Sequence, residues 1–148
     1  MNRENEMKLE FDSRSCNEGF ARVAVAAFLT QLNPTLEEVA DVKTALSEAV
    51  TNAIIHGYEG RVEKIIVQCR ICGQAIEIEV IDHGAGIADV KQAMEPLFTT
   101  REDCERAGMG FSFMEAFMDT LEVTSAPEEG TRVKMTKYIG RSRGEREE

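Results

Sequence analysis

Apolar and polar residues alternate near the start of the chain. Met7, Leu9 and Phe11 are separated by Lys8, Glu10 and Asp12, the period of two expected of a strand with one buried face. The period then lengthens. Phe20, Val23, Ala24, Ala27 and Phe28 recur at i, i+3, i+4, i+7 and i+8, and Ser15-Cys16-Asn17-Glu18 ahead of them has the spacing of a capping box. This pattern predicts an amphipathic helix over residues 16–32. A second capping box, Thr35-Leu36-Glu37-Glu38, opens a longer helical stretch that runs to Gly57, a residue suited to the left-handed turn past a helix end. From Lys64 the period returns to two. Ile65, Val67, Cys69 and Ile71 share one face, Ile76, Ile78 and Val80 share another, and Gly73-Gln74 between them fits a type II′ hairpin.

Residues 82–110 lack a clear period and contain Gly84, Gly86, Pro96, Gly108 and Gly110, which reads as a long loop. Long connections are usually functional. Phe111, Met114, Phe117 and Met118 predict another helix, residues 121–124 a strand, 127–130 a turn and 131–139 the last strand. Helices alternating with strands in this order suggest an α/β (α+β) two-layer sandwich. One mixed, mostly antiparallel sheet would be covered on one face by helices, with its other face partly wet.

Composition narrows the class. The 148 residues, 43% of them hydrophobic, suffice for one globular domain over residues 1–139, while residues 140–148 hold no apolar side chain and read as a disordered charged tail. A net charge of −10 argues against nucleic acid as a partner, because phosphate backbones are repelled; a basic groove on a partner protein would be attracted. No apolar run approaches the roughly 18 residues of a membrane span. Met1-Asn2-Arg3-Glu4-Asn5-Glu6 also lacks the cationic-then-apolar layout of a secretory signal, so a cytoplasmic location is expected. Cys16, Cys69, Cys72 and Cys104 read as free thiols. Cys69-x-x-Cys72 is half a zinc pattern, but at period two its thiols point to opposite faces of a strand.

Three short constellations carry candidate chemistry. Glu48, Asn52 and His56 lie at i, i+4 and i+8, within about 80° of arc, opposite the apolar Leu46, Val50 and Ile54. Ala45, Ala49, Ala53 and Ile55 flank them, so the stripe is not a solvated face. Glu48 can act as a general base and Asn52 offers a neutral oxygen to Mg²⁺; a buried polar pair satisfied by neighbouring strands is the competing reading. His56, at a helix end, is better placed to cap carbonyls than to bind metal. Asp82 keeps the phase of Ile76, Ile78 and Val80, so its carboxylate points inward and requires a donor. His83-Gly84-Ala85-Gly86-Ile87 after it lets the backbone approach a flat ligand, and an adenine amino group would serve; a plain strand-end turn remains open. Gly108-Met109-Gly110 before a helix exposes backbone N–H groups to a phosphate or simply caps that helix. Thr99, Thr100, Arg101 and Arg106 can donate to phosphate oxygens if the loop closes as a lid.

In this order, Glu48-x-x-x-Asn52, Asp82-x-Gly84-x-Gly86, Gly108-x-Gly110-Phe111 and Gly130-Thr131 resemble the N box and glycine boxes of the GHKL ATP-binding superfamily of gyrase, Hsp90, histidine kinases and MutL. The resemblance covers nearly the whole chain. More narrowly, Ser47-Glu48-Ala49-Val50-Thr51-Asn52-Ala53-Ile54-Ile55-His56-Gly57-Tyr58 and Pro96-Leu97-Phe98-Thr99-Thr100 are similar to the anti-sigma F family of endospore-forming bacteria, which are serine-protein kinases. The short, charged Gly60-Arg61-Val62-Glu63 departs from that family's pattern.

The resemblance implies a Bergerat-type sandwich binding Mg-ATP beneath a lid. Asn52 would hold Mg²⁺, Asp82 would recognise adenine with Thr131 nearby, Gly84 and Gly86 would shape the base pocket, and Gly108, Met109 and Gly110 would meet the phosphates. Glu48 would activate an incoming serine hydroxyl. The same resemblance implies a dimer that sequesters the sigma F factor when ATP is bound and phosphorylates an anti-anti-sigma factor. Glu18 and Arg22 would belong to the partner surface, and the first strand offers an edge for a second copy. A non-enzymatic, nucleotide-dependent sigma-binding module is the alternative. A gyrase- or MutL-type ATPase is disfavoured, since a transducer domain would have to follow Ile139.

Overall fold

The computed structural model describes residues 4–90 and 110–140. Residues 141–148 of the predicted tail and the middle of the long loop, with Thr99, Thr100, Arg101, Cys104, Arg106, Gly108 and Met109, lie outside the described residues.

Five strands form one sheet in the order β1-β2-β3-β5-β4: β1 (Glu4–Asp12), β2 (Lys64–Cys72), β3 (Ala75–Asp82), β4 (Thr120–Ala126) and β5 (Gly130–Tyr138). All four pairings are antiparallel, so the mostly antiparallel sheet expected from sequence has no parallel pair among the described strands. Two tight hairpins account for half of this. Gly73, at φ +62, makes the first of them together with Gln74, whose φ is not positive, as a type II′ turn requires. Register then aligns Val67 with Val80, Cys69 with Ile78 and Ile71 with Ile76 on the covered face. The other face carries ion pairs, Arg70 with Glu6 and Glu77 and Lys134 with Glu77, the partly wet surface the alternation predicts.

Helices α1 (Cys16–Leu29) and α2 (Leu36–Asn52) cover the sheet, joined by a 3₁₀ turn (Thr30–Leu32), and a short α3 (Phe111–Phe117) packs beside α2. At the start of α2, Thr35 is extended, at φ −74 and ψ 166, and both bonds of the predicted capping box are present. The box predicted at Ser15 does not form. Ser15 is itself helical, at φ −59 and ψ −30, so its hydroxyl does not reach the N–H groups of the first turn.

The face of α1 also differs from expectation. Ala21, Val25 and Leu29 are fully buried, whereas Phe20 and Val23 are 54% and 63% exposed and Ala27 faces solvent. The segment is apolar nearly all round, so its own period does not select a face. Ala21 takes the buried position, and Phe20 is left to pack edge-to-face on Phe11 at 6.4 Å.

Beyond Asn52 the long helix widens into a π turn (Ala53–Gly57). Gly57 does not adopt the predicted left-handed conformation, which falls instead on Glu59 and Gly60. Its lack of a side chain instead leaves room for the Asp82 carboxyl group. Cys16, Cys69 and Cys72 are free thiols; burial pushes Cys69 up to about 12, which makes it an inert packing group. Among the described residues no helix is long and apolar enough to cross a membrane.

Candidate functional site: an apolar cleft ending in a buried carboxylate

A cleft opens between the edge of α2 with its π turn and the ends of β3 and β5. Ala49, Ala53, Val80, Ile87, Phe111 and Val133 make its walls apolar. Its polar groups are few. Asn52 and His56 enter from the helix, Asp82 and Thr131 from the sheet, and Gly86 leaves backbone exposed. The structure therefore unites Asn52, Asp82, Gly86 and Thr131, which the sequence places up to 79 positions apart.

Asp82 ends β3 in the buried phase and is only 6% exposed. Gly84 donates its N–H to Asp82 Oδ1 at 2.9 Å, and Thr131 stands opposite Asp82 as its cross-strand partner. Desolvation nevertheless dominates. It raises the Asp82 carboxyl above its ordinary value, against the opposing pull of the Gly84 N–H, His83 and the Thr131 N–H. The carboxyl group lines the apolar cleft, where a ligand N–H could add a further donor to a desolvated acceptor.

The turn after Asp82 is tied down residue by residue. His83 donates its N–H to the Tyr58 hydroxyl at 2.7 Å, and that hydroxyl donates to the Lys64 carbonyl at 2.6 Å. Ala85 donates to the Gly57 carbonyl at 2.7 Å, and Ile87 to Ser125 Oγ at 2.8 Å. Ser125 Oγ also lies 2.8 Å from Thr131 Oγ1, which fixes that hydroxyl. Gly84 is obligatory for steric reasons. A Cβ there would fall 2.0 Å from the Gly57 carbonyl oxygen, while Gly86 combines a φ of +77 with backbone 1.9 Å from where its Cβ would be.

One turn before Asn52, Glu48 is half-buried, and desolvation alone raises its carboxyl above the ordinary glutamate value. Gly110, left-handed at φ +71, caps α3, and a Cβ on it would come within 2.2 Å of Glu48 Oε1. The carboxylate thus rests on the glycine that returns the chain from the long loop. Glu18 and Arg22 are also brought together. Glu18 Oε2 accepts from Arg22 Nη1 at 3.1 Å and from the Ser47 hydroxyl, linking α1 to the residue beside Glu48.

Sequence reasoning did not place His56 in the cleft. It lines the wall, and desolvation lowers its pKa. Its i+4 spacing from Asn52 was the available signal. Ile87 and Phe111 stand beside the motif glycines, but nothing in the sequence marks their side chains, or that of Val133, as cleft walls, because that depends on how three separated segments meet.

The chain matches the histidine kinase-like ATPase domain family over residues 13–137. Two solved structures share the fold. They are the RsbU and RsbW domains of Rv1364c from Mycobacterium tuberculosis (TM-score 0.65, 19% identity, 93% of this chain and 33% of that one) and the Acinetobacter baumannii histidine kinase AdeS (0.53, 11%, 94% and 70%). Fold and cleft together define a GHKL-type ATPase domain. Among curated relatives, the anti-sigma F factor of Thermoanaerobacter sp. (strain X514) is 62% identical over 92% of this chain and 95% of its own length. That of Clostridium botulinum (strain Alaska E43 / Type E3) is 59% identical over 90% and 94%. The chain belongs to the anti-sigma F family.

Proposed function

We propose that the protein binds the sporulation sigma F factor as an ATP-bound dimer and uses Mg-ATP to phosphorylate an anti-anti-sigma factor on serine. The observation that carries the nucleotide half is Asp82: a desolvated carboxylate with backbone donors only, closing an apolar cleft. An adenine amino group supplies the missing donor, and the apolar walls accept its ring faces. Thr131 stands beside it, held by Ser125. Gly84 and Gly86 let the backbone pass close to the base, while Gly110, with Gly108, Met109, Thr99, Thr100, Arg101 and Arg106, serves the phosphates.

Asn52 fits the cation. Among the described residues no cluster of three or more His, Cys, Asp or Glu side chains is placed to hold a metal, and Mg²⁺ commonly takes one or two protein oxygens and completes its shell with phosphate and water. Bound there, it would neutralise charge on the phosphates. Glu48 supplies the base. It takes the proton of the incoming serine hydroxyl as that oxygen bonds to the γ-phosphorus and ADP leaves, and its raised pKa suits the role. The exposed stripe of Phe20, Val23 and Ala27 on α1, beside Glu18 and Arg22, supports partner binding at that helix.

Incubation with labelled ATP and the serine-bearing antagonist is the direct test. Label on serine is expected. Bound ATP without transfer removes the kinase claim and leaves a nucleotide-dependent binding module, and failure of ATP-loaded protein to retain sigma F removes the sequestration claim.

A further inference from the structure

Most glycines around the cleft are confined by backbone. A Cβ on Gly84 would meet the Gly57 carbonyl at 2.0 Å, on Gly86 the Ala126 carbonyl at 1.9 Å, and on Gly130 the Asp82 carbonyl at 2.1 Å. Gly57 differs. Its φ is not positive, and the three atoms nearest a Cβ there all belong to one carboxyl group: Asp82 Oδ1 at 2.8 Å, Cγ at 2.9 Å and Oδ2 at 3.0 Å. A methyl at this position requires no left-handed backbone, and the atoms it meets first belong to a single side chain.

Gly57 also reaches the same turn from its other side. Its carbonyl accepts the Ala85 N–H at 2.7 Å, fixing the backbone that returns the Gly84 N–H to Asp82 Oδ1. The π turn is what presents that carbonyl, since the segment's last residues are displaced from α-helical register. π turns of this kind concentrate at functional sites.

Resting on the reading of Asp82 as the adenine acceptor, we propose that Gly57 is a positioning residue for purine specificity: its bare Cα is the wall that sets the direction of the Asp82 carboxylate. A carboxylate rejects guanine because it meets the O6 acceptor where adenine presents an amino donor, and that discrimination depends on where the oxygens point. A methyl at position 57 turns the carboxylate away and narrows the difference between the two bases.

The test is a double-mutant cycle of Gly57→Ala and Asp82→Ala, read by calorimetric titration with Mg-ATP and Mg-GTP and by thermal unfolding. Alone, Gly57→Ala should weaken ATP binding about tenfold, equivalent to one hydrogen bond to a charged group, and lower the ATP-to-GTP affinity ratio. In the Asp82→Ala background the same methyl should change ATP affinity less than about twofold, since the group it obstructs is gone. Should Gly57→Ala alone fail to fold, the double variant should fold, and recovery supports the contact. If neither folds, the obstruction lies elsewhere and the proposal is overturned. Equal losses in both backgrounds, or an unchanged base ratio in Gly57→Ala, also overturn it while leaving Asp82 as adenine acceptor intact. An Asp82→Ala variant with undiminished ATP affinity overturns that underlying reading and the proposal together.

Discussion

The two ends of α2 handle buried carboxylates in opposite ways. At the N-terminal end, Glu38 is 9% exposed, and desolvation pushes its carboxyl upward. The Thr35 and Gly140 N–H groups and the Thr35 hydroxyl, with the Lys137 charge, outweigh that push, so the group titrates below the usual carboxylate range. Lys137 itself, 4% exposed, donates to the Phe117 carbonyl at the end of α3 at 2.7 Å and pairs with Asp41 at 3.6 Å. Toward the other end, Glu48, and Asp82 against the π turn that follows, stay desolvated and raised. At one end hydrogen bonds and a nearby charge outweigh desolvation; at the other desolvation prevails. That difference along a single helix makes opposite predictions for the two sets of carboxylates.

The largest effect should come from Glu48→Gln. Removing a general base lowers phosphoryl transfer by about 10² to 10⁴-fold, while ATP affinity by calorimetry stays near the wild-type value. A comparable fall in both would break the contrast by making Glu48 a structural group like Glu38. Next is Glu38→Ala, which removes half of the capping box and the Gly140 contact. It should lower unfolding free energy by about 1–2 kcal/mol in denaturant titrations and leave ATP affinity unchanged.

The smallest and most discriminating effect lies in pH. Glu38 has a lowered folded-state pKa, so its stabilisation is present above the ordinary carboxylate range and disappears as pH falls through the lowered value. Asp82 has a raised pKa and the opposite sign: its favourable contribution exists below its ordinary value and is lost as pH rises through the raised one. At neutral pH, Glu38→Gln should therefore lower the Tm and Asp82→Asn should raise it slightly, both differences closing on acidification. Parallel Tm–pH curves for the two variants would sink the comparison. The same logic applies to catalysis, where the acidic limb of the transfer rate should lie above the ordinary glutamate range and vanish in Glu48→Gln.

Much of this was readable from residues in order. The Thr35–Glu38 box, the Gly73-Gln74 hairpin and the inward phase of Asp82 are local properties, fixed by spacings of two to four residues, and they recur in the structure. The candidate cleft was half legible for the same reason: Asn52 and Asp82, which line it, stand out because amides and carboxylates in apolar phase require an explanation, while Glu48 lies one turn before Asn52 and outside the lining. The Ser15 cap failed because hydroxyl capping needs an extended backbone that the sequence pattern does not report. The burial of Ala21, Val25 and Leu29 in place of the bulkier Phe20 and Val23 was hidden because a segment apolar on every side has no preferred face until a neighbour supplies one.

By itself, then, the sequence determined the elements, the family and the chemical types of the candidate site, all of which rest on short-range periodicity or on residue identity. Only the tertiary structure decided which face of α1 is covered, that Gly57 abuts a carboxylate 25 positions away, and that Ser125 holds Thr131. These are contacts between segments whose separation along the chain carries no information about their distance in space. Close packing of backbone against side chain sets them, and a single added methyl at 57 would reveal the difference.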